Sequence, residues 1–134
     1  MAILAIGTDI VDIRRLQQAT ARHGDAFLAR LFSAEERHYA DSASHEQRRW
    51  LRYGNRYAAK EACFKALRLK GNGVGWQDIS VTHHHDGAPS LLLSSYLNEL
   101  IYQKLPAPMH EFQLLLSLSD EAPYSMAFVS LSAS

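Results

Sequence analysis

The spacing of apolar residues changes from a helical rhythm in the first half of the chain to a more strand-like rhythm in the second. A short apolar run over residues 3–6 predicts a buried strand at the start. Ser33 and Glu36 stand three apart, as in a capping box, and predict that a helix begins there. Helices are predicted over residues 10–21, 33–41 and 47–69, with a further helix or turn over 25–31.

The second half of the chain predicts two hairpins and one helix. In the first half, Gly54 lies within the longest predicted helix, over residues 47–69, and weakens the prediction of that helix. Helices and antiparallel strands mix without a regular βαβ repeat, so we expect an α+β fold in which a single domain spans residues 1–134 and a long buried helix packs on the strands. The predicted elements of this half are strands over 78–85 and 90–93 around the turn Asp86-Gly87, a helix over 96–105, and strands over 112–119 and 124–131.

Residues 56–67 read R-Y-A-A-K-E-A-C-F-K-A-L, a helical segment that is apolar around most of its circumference. Such a helix is normally buried, and charges on it are costly unless they are paired or bind a ligand. Because residues four apart lie almost in line on a helix, Glu61 and Lys65 share one side of it. Glu61 is therefore a candidate to contact a positively charged group. A plain ion pair with Lys65 on a half-exposed face explains the spacing equally well.

Asp9 closely follows the first strand and has no basic neighbour in sequence. Just before it, Gly7 allows the backbone to turn or to approach another element closely. One carboxylate at a strand end and one on a buried helix could together hold a divalent cation, and Mg²⁺ suits a site with few carboxylates. The simpler alternative is that Asp9 caps a helix that begins near Val11.

The motif G-T-D-I-V-D-I at residues 7–13, followed by the motif at 56–67, resembles the holo-acyl-carrier-protein synthases, which are short, single-domain 4′-phosphopantetheinyl transferases. The resemblance covers nearly the whole chain. It implies transfer of the 4′-phosphopantetheine arm of coenzyme A to a serine of an acyl carrier protein, with 3′,5′-ADP as the other product and Mg²⁺ as cofactor. It also implies that Asp9 and Glu61 hold the metal, and that homotrimers carry active sites between subunits.

The same resemblance implies further site residues. Glu61 and Lys65 are the catalytic candidates: Lys65 would neutralise a phosphate oxygen, and either Glu61 or a metal-bound water would take the serine proton. Asp120 stands where many relatives have a histidine near the coenzyme's 3′-phosphate, so Arg56 and Lys60 are expected to make those contacts. The predicted coenzyme-binding residues are Arg56, Lys60, Lys65, Gly73, Gly87, Pro89 and Ser117.

Arginines cluster in the first two predicted helices, and a carrier protein is usually acidic around its serine. Arg15 and Arg22 are seven residues apart, so they share a helix face. The predicted partner-binding residues are Arg14, Arg15 and Arg22, with Arg30 nearby. A basic stripe steers an acidic partner, whereas the simpler interpretation is an ordinary solvated helix face.

Composition narrows the classes of function. The formal net charge is +0, which leaves no global electrostatic footprint for nucleic acid. Cys63 is the only cysteine and lies on the buried helix, so we expect a core residue rather than a nucleophile. The first apolar run is too short for a signal peptide or a membrane span. We therefore expect no membrane partner, and the resemblance implies a cytoplasmic enzyme of lipid metabolism, in fatty acid biosynthesis.

Two further functions stay open beside the transferase. The chain could be a magnesium-dependent phosphodiesterase that uses the same carboxylates, or a non-catalytic relative that only binds a carrier protein. The departures at Ala88, where relatives often carry a basic residue, and at Asp120 favour the non-catalytic relative, whereas the intact Asp9, Glu61 and Lys65 argue against it. The histidines at 83–85 do not favour a metal site, because neighbouring strand residues point to opposite faces.

Overall fold

The computed structural model describes residues 1–134 and contains five strands and five helices. The strands are β1 (Ala2–Asp12), β2 (Ile79–His83), β3 (Pro89–Leu93), β4 (Phe112–Glu121) and β5 (Tyr124–Ala133). The helices are α1 (Ile13–His23), α2 (Asp25–Leu31), α3 (Ala34–Asp41), α4 (Glu46–Leu67) and α5 (Ser95–Lys104). A single 3₁₀ turn over Trp76–Asp78 precedes β2.

The strands form two antiparallel sheets. Strands β1, β5 and β4 make a three-stranded sheet in that order, and β2 pairs with β3. In the larger sheet Asp9 lies opposite Ala127, which in turn lies opposite Leu118. The long helix α4 packs across β1 and β5 of this sheet. The prediction of an α+β fold with a long buried helix on antiparallel strands is confirmed.

The larger sheet has one covered face and one open face. Alternate residues of a strand point to opposite faces, so β5 contributes to both. The inner face, against α4, carries the buried side chains of Ser125, Ala127, Val129, Leu131 and Ala133. The outer face carries large apolar side chains that are exposed in the single chain, namely Ile3, Ile6, Ile10, Leu115, Met126 and Phe128.

Helix α4 approaches the sheet most closely at two glycines. A side chain on Gly7 would overlap the carbonyl oxygen of Ala62, so β1 lies directly against the helix backbone. A side chain on Gly54 would overlap Ser125, whose hydroxyl donates a hydrogen bond to the Leu51 carbonyl at 2.9 Å. Gly54 costs helix propensity, but it lets the helix touch β5. The close approach predicted as one use of Gly7 is confirmed, and β1 passes through it without a turn.

The first strand is longer than predicted, and the first helix begins later. Residues 10–12 pair with β5, so the chain stays extended to Asp12. Asp12 then caps α1 by accepting a hydrogen bond from the Arg14 N–H at 3.0 Å. The prediction of a helix from residue 10 is wrong, as is the alternative in which Asp9 is its cap, because strand pairing overrides the local helical rhythm.

Helix α4 runs for 22 residues, and more than half of them are buried. Cys63 lies in this buried part, and burial raises the pKa of its thiol to about 12. A thiol that stays protonated is a poor nucleophile, so Cys63 is a core residue, as predicted. None of the five helices combines the length and apolar character that crossing a membrane requires.

Candidate active site

Asp9 and Lys65 meet where α4 touches β1. Asp9 is on the inner face of the sheet, opposite the buried Ala127. The Lys65 Nζ lies 2.9 Å from the Asp9 Oδ1 and donates a second hydrogen bond to the Thr8 carbonyl at 3.0 Å. Lys65 thus crosses from the helix to the strand. The alternative of a simple ion pair between Glu61 and Lys65 is wrong, since no such pair is present.

Glu61 lies one turn before Lys65 and is half-buried beside Asp9. Burial and, next, the negative charge of Asp9 raise the pKa of the Glu61 carboxyl, while the Tyr57 hydroxyl and Lys65 oppose that rise. Burial and Glu61 in turn raise the pKa of Tyr57 to about 12, so Tyr57 keeps its proton. Sequence reasoning missed Tyr57 as part of this site. The sequence signal that could have identified Tyr57 is its position four residues before Glu61 on the same helix.

The donor set around Asp9 and Glu61 fits a magnesium ion. The charge of Asp9 acts on Glu61, and the carboxylate of Glu61 forms no ion pair within the chain. No third acidic, histidine or cysteine side chain joins them. Mg²⁺ is usually bound through one or two carboxylates, with waters and substrate phosphates completing its coordination. Burial first and the charge of Asp9 second raise the pKa of the Glu61 carboxyl, and a cation would offset both effects.

Lys60 does not belong to this site, contrary to prediction. Its side chain is 0% exposed and points to the opposite side of α4. The Lys60 Nζ donates hydrogen bonds to the Glu36 Oε1 at 2.8 Å and to the carbonyls of Trp76 and Ile79. These three acceptors fill its donor capacity. The prediction that Lys60 contacts the 3′-phosphate is therefore wrong. Lys60 instead joins α4 to the segment that leads into β2.

Glu36, the partner of Lys60, was predicted only as a helix-capping residue. The predicted capping box is present, because Glu36 accepts from the Ser33 N–H at 2.9 Å and Ser33 accepts from the Glu36 N–H at 3.1 Å. Glu36 also accepts a hydrogen bond from the Val81 N–H at 2.9 Å. One buried carboxylate thus connects α3, α4 and β2, which anchors the second sheet beside the long helix.

Arg56 is 2% exposed and has no carboxylate partner. Its guanidinium lies 4.3 Å from the centre of the Tyr39 ring, and Arg52 lies at the same distance from that ring. The Arg56 Nη2 is 3.3 Å from the His83 Nε2, while the Arg56 Nε has no partner. Burial lowers the pKa of Arg56. Arg56 forms no ion pair, although the charge of Glu36 acts on it, and this is compatible with the predicted anion contact of the enclosed Arg56 side chain.

Asp120 forms an ion pair with an arginine of the same chain. The Arg48 Nη1 lies 3.1 Å from the Asp120 Oδ2. The ion pair offsets the negative charge of Asp120, so Asp120 need not repel a nearby phosphate as a free aspartate would. The pairing could not be read from the sequence, since the two residues are far apart along the chain and belong to α4 and β4.

The predicted coenzyme residues Gly73, Gly87 and Pro89 lie in two separate turns. Gly73 is in the turn that follows α4 and has φ +74°, and Gly87 is in the β2–β3 turn and has φ +89°. Both conformations favour glycine. Pro89 begins β3 opposite His83 and lines a cavity of about 400 Å³ between this hairpin and β4. The hairpin reaches α4 through the contact of His83 with Arg56.

Ser117 is not brought together with Asp9 in a single chain. It is exposed, and in the register it lies opposite Phe128, whose side chain is on the outer face. Asp9 lies on the inner face. One chain alone therefore cannot place Ser117 and the pair Asp9–Lys65 in one site.

The predicted docking arginines are all exposed on α1. Arg14 forms an ion pair with Asp12 at 2.7 Å, which lowers the pKa of the Asp12 carboxyl. Arg15 and Arg22 form no ion pair. Beside them, Arg30 lines a groove of about 330 Å³ between α1 and α2, where Phe27 supplies an apolar wall. The structure thus places cationic and apolar groups side by side on this surface.

Comparisons with known proteins show the family to which the chain belongs. Residues 5–128 match the family model of the 4′-phosphopantetheinyl transferase superfamily. The chain is 44% identical over 128 residues to a holo-[acyl-carrier-protein] synthase of Gluconobacter oxydans, covering 95% of this chain and 80% of that protein.

Solved structures show the same fold. The ACPS–CoA complex of Chronobacterium ammoniagenes superposes with a TM-score of 0.79 at 26% identity, covering 100% of this chain and 99% of that one. The Helicobacter pylori holo-[acyl-carrier-protein] synthase in complex with coenzyme A gives a TM-score of 0.76 at 28% identity, with 95% and 99% covered. The chain therefore belongs to the 4′-phosphopantetheinyl transferase superfamily and, within it, to the holo-[acyl-carrier-protein] synthases.

Proposed function

We propose that this protein transfers the 4′-phosphopantetheine group of coenzyme A to a serine of an apo acyl carrier protein, in a magnesium-dependent reaction that releases 3′,5′-ADP. The observation that carries the proposal is the meeting of Asp9, Glu61 and Lys65 where α4 touches β1. Relatives that carry the name of this activity, and their complexes with coenzyme A, support it. We further propose that the reaction belongs to cytoplasmic lipid metabolism, in fatty acid biosynthesis.

The chemistry needs a proton acceptor and positive charge. The serine oxygen forms a bond to the β-phosphorus, the bond from that phosphorus to the bridging oxygen breaks, and 3′,5′-ADP leaves with that oxygen. Glu61, which lies near Asp9 on the adjoining strand, is the candidate to take the serine proton. Lys65 has a side chain 56% exposed and uses two of its three donors within the chain, so one remains for a diphosphate oxygen.

Asp9 and Glu61 are the residues that would hold Mg²⁺. When bound, the ion supplies positive charge that offsets the negative charge growing on the diphosphate oxygens. Tyr57, four residues before Glu61 on the same helix, would orient that carboxylate from the helix side. The tight contact at Gly7 keeps the strand and the helix, and so the two carboxylates, at a fixed separation.

The coenzyme site is proposed to extend along α4 to the β2–β3 hairpin. Gly87 and Pro89 would lie beside the adenine, Gly73 would border the nucleotide, and Arg56 would supply positive charge for the 3′-phosphate. Ser117 would come from a second subunit, since it lies on the face of the sheet away from Asp9.

The proposed assembly is a homotrimer with active sites between subunits. The exposed apolar outer face of the larger sheet, defined above, supports it, because an apolar patch of this kind marks an interaction surface. Sedimentation velocity tests the assembly: the chain should sediment as a trimer, and Phe128→Glu should dissociate it. A monomer at micromolar concentration that retains full activity would contradict it.

The carrier protein is proposed to dock on α1. Arg15 and Arg22 supply unpaired positive charge, and the groove between α1 and α2 supplies an apolar surface. Arg14 contributes less free charge, because it already pairs with Asp12. An acidic helix with an apolar stripe would match this surface.

Mass spectrometry of an apo carrier protein incubated with coenzyme A, Mg²⁺ and this protein tests the function. We expect the carrier to gain one phosphopantetheine and 3′,5′-ADP to appear in equal amount. Hydrolysis of coenzyme A without a carrier would instead indicate the phosphodiesterase. Carrier binding without a mass gain would indicate the non-catalytic relative, and either result would overturn the proposal.

A further inference from the structure

A second cavity, of about 320 Å³, lies between the C-terminal ends of α4 and α5 and the start of β1. Neither Asp9 nor Lys65 lines it. Nine of its twelve lining residues are hydrophobic, and the only charged ones are Arg68 and Lys104. Its volume lies at the lower end of the range of roughly 300–1,000 Å³ that small-molecule sites occupy.

The two cations of this cavity have no acidic partner. Neither Arg68 nor Lys104 forms an ion pair, and neither side chain donates a hydrogen bond within the chain. Each helix that ends here contributes about half an elementary negative charge at its C-terminus. Two full positive charges exceed that sum, so the mouth of the cavity stays positive.

Arg68 occupies a backbone conformation that favours glycine. It is the C-cap of α4, with φ 52° and ψ 53°, and no other non-glycine residue has a positive φ. Glycine would avoid the steric cost of this conformation. The chain instead keeps an arginine there, which places a guanidinium at the cavity, and such local strain is often retained for function.

The wall of the cavity is extended by an irregularity in β1. The pairing of β1 with β5 shifts register between Ile3 and Ala5, so Leu4 has no partner. In a regular strand neighbouring side chains point to opposite faces, yet both Leu4 and Ala5 line the cavity. The bulge therefore adds apolar surface to the wall.

Water is a poor occupant of such a cavity. A buried water needs two to four polar partners, and the lining offers few beyond its two cations. An aliphatic chain suits the wall, and an anionic group at one end of the chain suits the mouth. We propose that this protein binds a single-chain aliphatic carboxylate here, with its chain among the leucines and its carboxylate against Arg68 and Lys104.

Isothermal titration of the full-length protein with hexanoate, octanoate and decanoate tests the proposal. We expect one site per chain and a dissociation constant that falls about fourfold per added methylene until the cavity is filled. Decyltrimethylammonium, with the same chain length and the opposite charge, should bind at least tenfold more weakly than decanoate. Equal binding of the two amphiphiles, or no binding of decanoate, would overturn the proposal.

Variants that change the charge of one lysine test whether decanoate binds in this cavity. Lys104→Glu should weaken decanoate binding at least tenfold, because a charge-assisted contact is replaced by repulsion. Lys70→Glu is the matched control: Lys70 is exposed, lies two residues from Arg68 and does not line the cavity, so binding should be unchanged. Equal losses in both variants would show a non-specific charge effect. If Lys104→Glu does not fold, Lys104→Met removes the charge alone and should also weaken binding.

Competition separates this cavity from the coenzyme site. Saturating coenzyme A with Mg²⁺ should leave the affinity for decanoate unchanged, since the cavity excludes Asp9 and Lys65. Displacement of decanoate by coenzyme A would mean that the cavity belongs to the coenzyme site, which would overturn the proposal of a separate ligand. Because binding is measured without turnover, this result is independent of the proposed reaction.

Discussion

The Lys65 ammonium pairs with Asp9 across the contact between helix and strand, at 2.9 Å, and not with Glu61 on its own helix. More than half of the Lys65 side chain is exposed, and an exposed ion pair contributes at most about 1 kcal/mol to stability. The main consequence of the pairing is therefore positional: it holds a mobile cation beside the two carboxylates that are proposed to bind metal.

Lys65→Met should leave the protein folded and slow the transfer step. Removing a preorganised donor to a developing charge costs on the order of a hundredfold in kcat. Steady-state kinetics with coenzyme A and a carrier protein would separate a change in kcat from a change in KM. Lys70→Met is the control, because Lys70 is exposed and makes no contact with the site. A folded Lys65→Met with normal kcat would show that the lysine is only structural.

Asp9→Ala and Glu61→Ala should each abolish magnesium-dependent transfer while the fold is retained. Both carboxylates are expected to be needed, because no third acidic, histidine or cysteine side chain is there to replace either one. Binding of Mn²⁺ in the presence of coenzyme A, followed by electron paramagnetic resonance, would test the ligands apart from turnover. Glu99→Ala on the exposed side of α5 is the control. Near-normal Mn²⁺ binding by the double variant would remove both residues from the metal site.

Lys60→Met tests the reassignment of that residue to the core. It would leave the buried Glu36 carboxylate without its counter-charge, and breaking a buried pair costs about 3–5 kcal/mol. Urea unfolding followed by circular dichroism would measure the loss in free energy of unfolding. A stable Lys60→Met variant whose only change is a raised KM for coenzyme A would restore the original prediction that Lys60 binds the coenzyme.

Gly7→Ala should destabilise the protein and impair activity together. The added methyl group would overlap the Ala62 carbonyl, and overpacking of this kind costs about 1–3 kcal/mol. The shift between β1 and α4 would also change the separation of Asp9 and Glu61. Gly75→Ala is a matched control, because the nearest atom to its new Cβ lies 3.8 Å away. Equal unfolding free energies for the two variants would contradict the close contact at Gly7.

Arg15→Glu should weaken carrier binding without changing the affinity for coenzyme A. The effect should shrink as salt rises, since exposed charges are screened over roughly 8–10 Å near physiological ionic strength. Surface plasmon resonance at several salt concentrations would measure it, with Lys70→Glu as a control for net charge. A loss that does not depend on salt, or no loss, would mean that the α1 arginines are ordinary surface residues.

The sequence alone determined the family and the identity of the central helix. Short-range signals carried this information: the apolar circumference around Glu61, the capping box at Ser33, and the paired motifs at 7–13 and 56–67. The first two features depend on residues within one or two turns of each other, where spacing along the chain decides which side chains are neighbours. The family follows from the resemblance that the paired motifs carry. The position of α4, Cys63 in the core and the hairpins follow from the same signals.

Only the tertiary structure decided which charged side chains pair with each other. Strand pairing with β5 kept residues 10–12 extended despite a local helical pattern. Lys60 and Lys65 both looked like ligand contacts, yet one is enclosed with Glu36 and the other reaches Asp9. Such partners lie 24 and 56 residues apart along the chain. Burial and pairing are properties of the packed elements, so no local pattern could assign a structural role to one lysine and a site role to the other.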